Sequence, residues 1–232
     1  MENIIEKRLK QIDEEFKNTL SDKENGRNPI RDGALNPEEY FKAPLKIMWL
    51  MKEPYDEKNG KSDGWSFECF RTNSYKDLLK GGSKGTWRPV AYISYAVINN
   101  LRCFEDMGGL ELYPAIADSL NKIAWVNINK LPSKNRTYTV HKDILQAYAK
   151  SKTLLNEQIE LLNTDIIICG NTFSVVKGFN SVHKGSVGEG HHRASYHTCE
   201  GKRIIIGAYH PARKNTKMYV NNILKAIIDA RK

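Results

Sequence analysis

Four apolar runs constrain this chain more than any other feature. They are LKIMWLM (45–51), KIAWVNI (122–128), DIIICG (165–170) and RIIIGA (203–208). None alternates apolar with polar residues, so each reads as a strand buried on both faces, as in a parallel sheet. Each stops abruptly at polar or turn residues: Lys52-Glu53-Pro54, Asn129-Lys130-Leu131-Pro132, Gly170-Asn171 and Tyr209-His210-Pro211.

Helical periodicity fills the intervals. Ile5, Leu9, Ile12, Phe16 and Leu20 share one face over 2–20, and further helices are expected at 89–101, 111–121, 143–162 and 216–230. Residues 21–43 read as a long loop or a set of turns, with Asn28-Pro29, Asp32-Gly33 and Asn36-Pro37. Strands alternating with helices predict an α/β fold. The expectation is one domain over 1–232, with residues 1–43 a helix-and-loop extension. Its architecture is a three-layer α/β/α sandwich around a central four-stranded parallel sheet.

The sequence has 232 residues, 40% hydrophobic and 27% charged, which suits a soluble domain with a sizeable core. No apolar run is long enough for a membrane span, and the charged N-terminus has no signal core. A cytoplasmic monomer is expected. Lys and Arg exceed Asp and Glu by 36 to 27, a net charge of +9 that suits a polyanionic partner. Cys69, Cys103, Cys169 and Cys199 are widely spaced, with no close pair of the kind that zinc or iron–sulfur sites use, so no metal and no cofactor is expected. Cys169 reads as core.

In open α/β sheets the site lies beyond the carboxyl ends of the strands. Here those ends carry Glu53, Tyr55 and Asp56, then Asn127, then Asn171, then His210. An acid, an amide and a histidine thus collect at one edge.

With that placement the chain resembles the uracil-DNA glycosylase superfamily, as a remote and atypical member. MKEPYD stands where the family has Gly-Gln-Asp-Pro-Tyr-His, and GWSF (64–67) where it has Gly-Leu-Cys-Phe. NSYKDLL (73–79) is similar to the family's Pro-Ser-Leu…Tyr-Lys-Glu-Leu segment. WVNINKLP with Asn135-Arg136 is closest to the branch reading Asn-Val-Val-Lys-Cys-Arg-Pro-Pro, and HPAR stands where the family has His-Pro-Ser. The matches fall in family order across 45–215.

The resemblance implies hydrolysis of the bond between deoxyribose and a base flipped out of DNA. It makes Glu53 the carboxylate that orients water, with Asp56 a nearby second carboxylate standing where the family has His. It makes Phe67 the ring on which the base stacks, with Trp65 beside it, and Tyr55 the wall at the base's C5 edge. It makes Asn127 the amide that reads the base, and His210 the donor that stabilises the departing base as an anion. Arg213 would fill the gap left in the duplex. Asn171 is a further substrate contact, and Lys84, Arg88, Lys130, Arg136 and Lys214 are the expected DNA contacts, on double- or single-stranded DNA. Glu for Asp, Asp for His and Ala212 for Ser depart from the family, and that branch's cluster cysteines are absent.

Lys52 is expected on the other side of the sheet from Glu53, which leaves no amine nucleophile and implies a monofunctional enzyme. GGSKGTWRP (81–89) lacks the Walker spacing; it either holds phosphates or is an exposed loop. Residues 181–198 carry His183, His191, His192 and His197, in no standard metal spacing, and read as a flexible loop that contacts DNA or roofs the pocket. The resemblance implies that the excised base would be uracil, a deaminated purine or a modified pyrimidine, in repair or in antiviral defence. The alternatives are a non-catalytic nucleic-acid-binding relative on the same fold and an N-glycosidase for free nucleosides. The latter would need neither the positive charge nor steep salt dependence.

Overall fold

A computed structural model describes residues 2–21, 26–55, 79, 84–109, 114–133, 139–176, 179–199 and 203–232. The four apolar runs are strands β2 (Ile47–Met51), β3 (Ile123–Asn127), β4 (Ile166–Gly170) and β7 (Ile204–Ala208). They pair in parallel in the order β3-β2-β4-β7. Among the described residues the sheet is nonetheless mixed and has seven strands where four were expected. A two-residue strand, β1 (Gly33–Ala34), adds antiparallel to β3. At the far edge, β6 (Ala194–Thr198) adds antiparallel to β7 and β5 (Val182–Val187) to β6. The segment expected as a flexible histidine-rich loop is therefore a β-hairpin. Its polar, half-exposed strands lack the apolar run that marks the central ones.

The helices are α1 (Glu2–Leu20), α2 (Pro37–Lys42), α3 (Lys84–Ile98), α4 (Pro114–Asp118), α5 (His141–Leu162) and α6 (Thr216–Ala230). Helix α2 and strand β1 lie within the 21–43 stretch expected to be loop or turns. Helix α3 begins five residues before the expected start, so Pro89 sits inside it, in the second turn. Side chains alternate between two cores. Ile47, Trp49 and Met51 join α3 and α6, with Trp125 between Trp49 (6.4 Å) and Trp87 (4.3 Å, ring centroids). Met48 and Leu50 join Ile12 and Phe16 of α1 and Leu155 and Ile159 of α5. Among the described residues, no helix is long and apolar enough to cross a membrane.

Connections to parallel strands place the starts of α3, α5 and α6 at the carboxyl edge of the sheet. That edge is stitched beyond the strands. Ile128 N–H donates to the Met51 carbonyl (2.9 Å), Asn129 N–H to Lys52 (2.8 Å) and Ser133 N–H to Pro54 (2.9 Å).

A buried ion pair anchors the same segment. Lys130 Nζ donates to Asp32 Oδ1 at 2.6 Å and to Gln158 Oε1 at 2.8 Å, and lies 4.8 Å from the Phe16 ring centre. The side chains of Lys130 and Asp32 are 2% and 0% exposed. Lys130 is therefore not the DNA contact expected of it, because its ammonium is sealed under α1 and α5. Replacing Lys130 with Met strands the Asp32 carboxylate. The expected loss is about 3–5 kcal/mol, read as a fall in the urea midpoint.

Candidate functional site

Crossovers leave β2 and β4 toward opposite sides of the sheet, β2 leading to β3 and β4 leading toward β7. A crevice forms at such a switch point. Glu53, Asn171 and His210 follow the neighbouring strands β2, β4 and β7.

The β4 end is held on both sides. Thr172 Oγ1 donates to the Leu50 carbonyl (2.7 Å), and Asn171 N–H to the Ala208 carbonyl (2.7 Å). Asn171 turns the chain with a left-handed backbone (φ 63°) that Asn tolerates, and its side chain is exposed. A Cβ at Gly170 would meet the Met51 thioether, which would have to shift.

His210 sits in a rigid turn between β7 and α6. The turn is closed by Asn215, whose Oδ1 caps α6 at Met218 N–H (3.1 Å), and by Tyr219, whose hydroxyl donates to the Tyr209 carbonyl (2.6 Å). The Ala212 N–H donates to His210 Nδ1 at 3.1 Å. A ring nitrogen that accepts carries no proton, so the neutral imidazole has its proton on Nε2. Nε2 makes no hydrogen bond among the described residues. Burial, then the Lys52 and Lys214 charges, push the His210 pKa down to about 4. The ring is thus a neutral Nε2–H donor at neutral pH.

Glu53 is half-buried, and its carboxyl group hydrogen-bonds the Thr139 and Ser133 hydroxyls. Burial raises its pKa and Asp143 adds to the shift, against those two hydroxyls and Lys52. Oε1 is buried and faces no donor among the described residues. Glu53 lines a polar cavity of about 430 Å³, walled by the end of α1, residues 129–133 and the first turns of α5, including Asp143, Gln146 and Lys150. His210 is not in that wall. The Lys52 charge acts on both His210 and Glu53.

The other expected residues divide clearly. Asn127 is buried, and its Nδ2 donates to Asp32 Oδ2 (3.1 Å), so that amide hydrogen is committed to the ion-pair network. Tyr55 is exposed beyond β2. Lys84 and Arg88 are exposed in the first turns of α3, at the site's edge of the sheet. Arg213 is exposed, with a left-handed backbone (φ 59°) that projects it from the turn. Lys214 lies 5.8 Å from the Tyr209 ring centre. Asp56, Trp65, Phe67 and Arg136, together with the Asn135 beside it, lie outside the described residues, as does Cys69.

The hairpin turn sits beside the His210 turn. Asn215 N–H donates to His192 Nε2 (3.1 Å), and the His191 ring meets Tyr209 edge-on at 5.1 Å. The His183 ring lies tilted against His197 (4.9 Å between centroids), and His197 lies tilted against Phe173 (4.2 Å). Among the described residues, no group of three His, Cys, Asp or Glu side chains converges as metal ligands would. Sequence reasoning missed Tyr209, an exposed ring one residue before His210, and the nearness of Lys52. The signal for both was adjacency to a strand end.

No family model matches this chain, and no curated protein matches it.

The His210 shift has a sign that can be measured. Its pKa in the folded protein lies below the ordinary 6.5, so the unfolded chain binds the extra proton between the two values. This group's contribution is present above pH 6.5 and is lost as pH falls toward about 4. Urea unfolding at pH 7 and pH 5 should show a smaller acid-induced loss for His210→Gln than for the unaltered protein.

Proposed function

We propose that this protein is a DNA glycosylase that hydrolyses the N-glycosidic bond of a flipped-out base and leaves an abasic site. The observation that carries the reading is the His210 imidazole, neutral with its proton on Nε2, at the end of a parallel strand. A base leaves as an anion, and a fixed donor aimed at the developing charge lowers that barrier. A protonated imidazole is not needed, and a depressed pKa excludes it.

In this reading Glu53 orients the attacking water and offsets the positive charge that develops on the sugar. It must be ionised, so activity falls as pH drops through its raised pKa. Asp56, Trp65, Phe67 and Tyr55 form the base pocket by resemblance. Arg213, Lys214, Lys84 and Arg88 hold phosphates, with Arg213 entering the gap in the duplex. We further propose that the helices on both faces make the fold a three-layer α/β/α sandwich like that family's, and that the protein acts in the cytoplasm. The base is uracil, a deaminated purine or a modified pyrimidine, met in repair or in phage DNA.

One observation favours the second reading, a non-catalytic nucleic-acid-binding relative. The Glu53 carboxyl group opens on the α1–α5 side, in a cavity that His210 does not line.

The test incubates the protein with duplexes containing uracil, hypoxanthine or natural modified cytosines and scores alkali-labile abasic sites. Abasic sites on one substrate, reduced at least about 100-fold in both Glu53→Gln and His210→Ala, support the glycosylase. Binding that falls steeply with salt, without base release on any substrate, supports the second reading.

A further inference from the structure

The turn of the β5–β6 hairpin, Gly190–His192, grips both ends of the segment that carries His210. At one end the His191 ring meets Tyr209 edge-on, 5.1 Å between centroids. At the other end Asn215 N–H donates to His192 Nε2 (3.1 Å). Residues 210–214 between them make no backbone-to-backbone hydrogen bond among the described residues. The segment therefore depends on side chains. The Tyr219 hydroxyl holds the Tyr209 carbonyl, His210 Nδ1 holds the Ala212 N–H, and His192 holds the Asn215 N–H.

The His192 contact fills a gap in the capping of α6. Asn215 is the N-cap of that helix, and its Oδ1 accepts from Met218 N–H. In a capping box a Glu or Gln three residues on reaches back to the N–H of the N-cap residue. Here Met218 stands at that position and has no oxygen to offer. His192 supplies the acceptor from another element. A ring nitrogen that accepts carries no proton, so the neutral His192 has its proton on Nδ1. The hairpin turn is itself tied to α6, because Asn222 Nδ2 donates to the His192 carbonyl (3.0 Å). Gly188, with a left-handed φ of 74°, lets the turn approach; a Cβ there would meet the Asn222 amide.

We propose that His192 is a positioning residue for base release: by accepting from Asn215 N–H it holds the turn in which the Ala212 N–H keeps the His210 proton on Nε2. The inference rests on the glycosylase reading for its reaction and extends it to the hairpin, which lies outside the four parallel strands. The effect of His192 passes through the backbone, not through contact with the base. A catalytic donor displaced by about 1 Å loses up to about 100-fold in rate.

The test compares two substitutions in the full-length protein. His192→Phe keeps a ring and loses the acceptor. His192→Gln loses the ring and keeps an acceptor at similar reach. Thermal unfolding verifies that both fold. Long-range proton–nitrogen NMR at pH 7 reads the His210 tautomer, and hydrogen exchange reads the Ala212 N–H. Single-turnover base release and DNA binding are measured on the duplex that the unaltered protein processes. In His192→Phe a His210 form protonated on Nδ1 should appear and Ala212 N–H should exchange faster. Base release should fall about tenfold or more with binding unchanged, and His192→Gln should restore all three readouts. An unchanged His210 tautomer and Ala212 exchange in His192→Phe overturn the inference and leave the glycosylase reading standing. Equal loss of base release in both variants also overturns it, because the ring rather than the acceptor would then matter. A tautomer that shifts in His192→Phe and returns in His192→Gln, with no base released from any substrate by the unaltered protein, overturns the glycosylase reading instead and keeps His192 as the residue that sets the His210 proton.

Discussion

Parallel pairing of β2, β4 and β7 is the constraint on which the rest depends. Parallel strands all point their carboxyl ends to one edge, so residues remote in sequence are carried to that edge. Glu53, Asn171 and His210 span more than a hundred residues of chain, yet they succeed three neighbouring strands. The ladder does not stop with the strands. Backbone bonds from Ile128, Asn129 and Ser133 extend it over Met51, Lys52 and Pro54, and the Asn171 turn is tied to Ala208. The residues just past these strands are therefore held by the same kind of backbone bonds as the strands themselves, and a catalytic group requires such fixed placement.

Two lysines near this edge show how environment sets role. Lys130 is buried against Asp32 and Gln158, with its charge neutralised and its donors engaged. It holds the segment that carries Ser133 to Glu53. Lys52 has only its backbone engaged among the described residues, and its charge acts on His210 from across the strand ends. Burial lowers the pKa of both Lys52 and His210, so this edge carries two basic groups biased toward neutrality beside exposed Arg213.

Much of the fold was legible because its strongest signals are local. An unbroken apolar run such as IMWLM, short and bounded by turn residues, reads as a strand buried on both faces, and the spacing of Ile144, Leu155, Ile159 and Leu162 marks the buried side of α5. The β5–β6 hairpin was not legible, since VHKGSV is largely exposed and polar and is held mainly by its ladder to β6. Lys130 was misread for a related reason. A lysine after a strand ordinarily faces water, and the partner that buries it lies 98 residues earlier. The commitment of Asn127 to Asp32 is equally non-local. The position of His210 at a strand end was legible, but its tautomer depends on the Ala212 N–H, a turn geometry that no residue pattern encodes.

The functional account turns on the state of one imidazole, and long-range proton–nitrogen NMR of ¹⁵N-labelled protein reads it directly. The prediction for His210 at pH 7 is an unprotonated Nδ1 and a protonated Nε2, with titration near pH 4. A proton on Nδ1, or an imidazolium still present near pH 6.5, would contradict the account, because His210 would then lack the neutral Nε2–H donor that the proposed reaction needs.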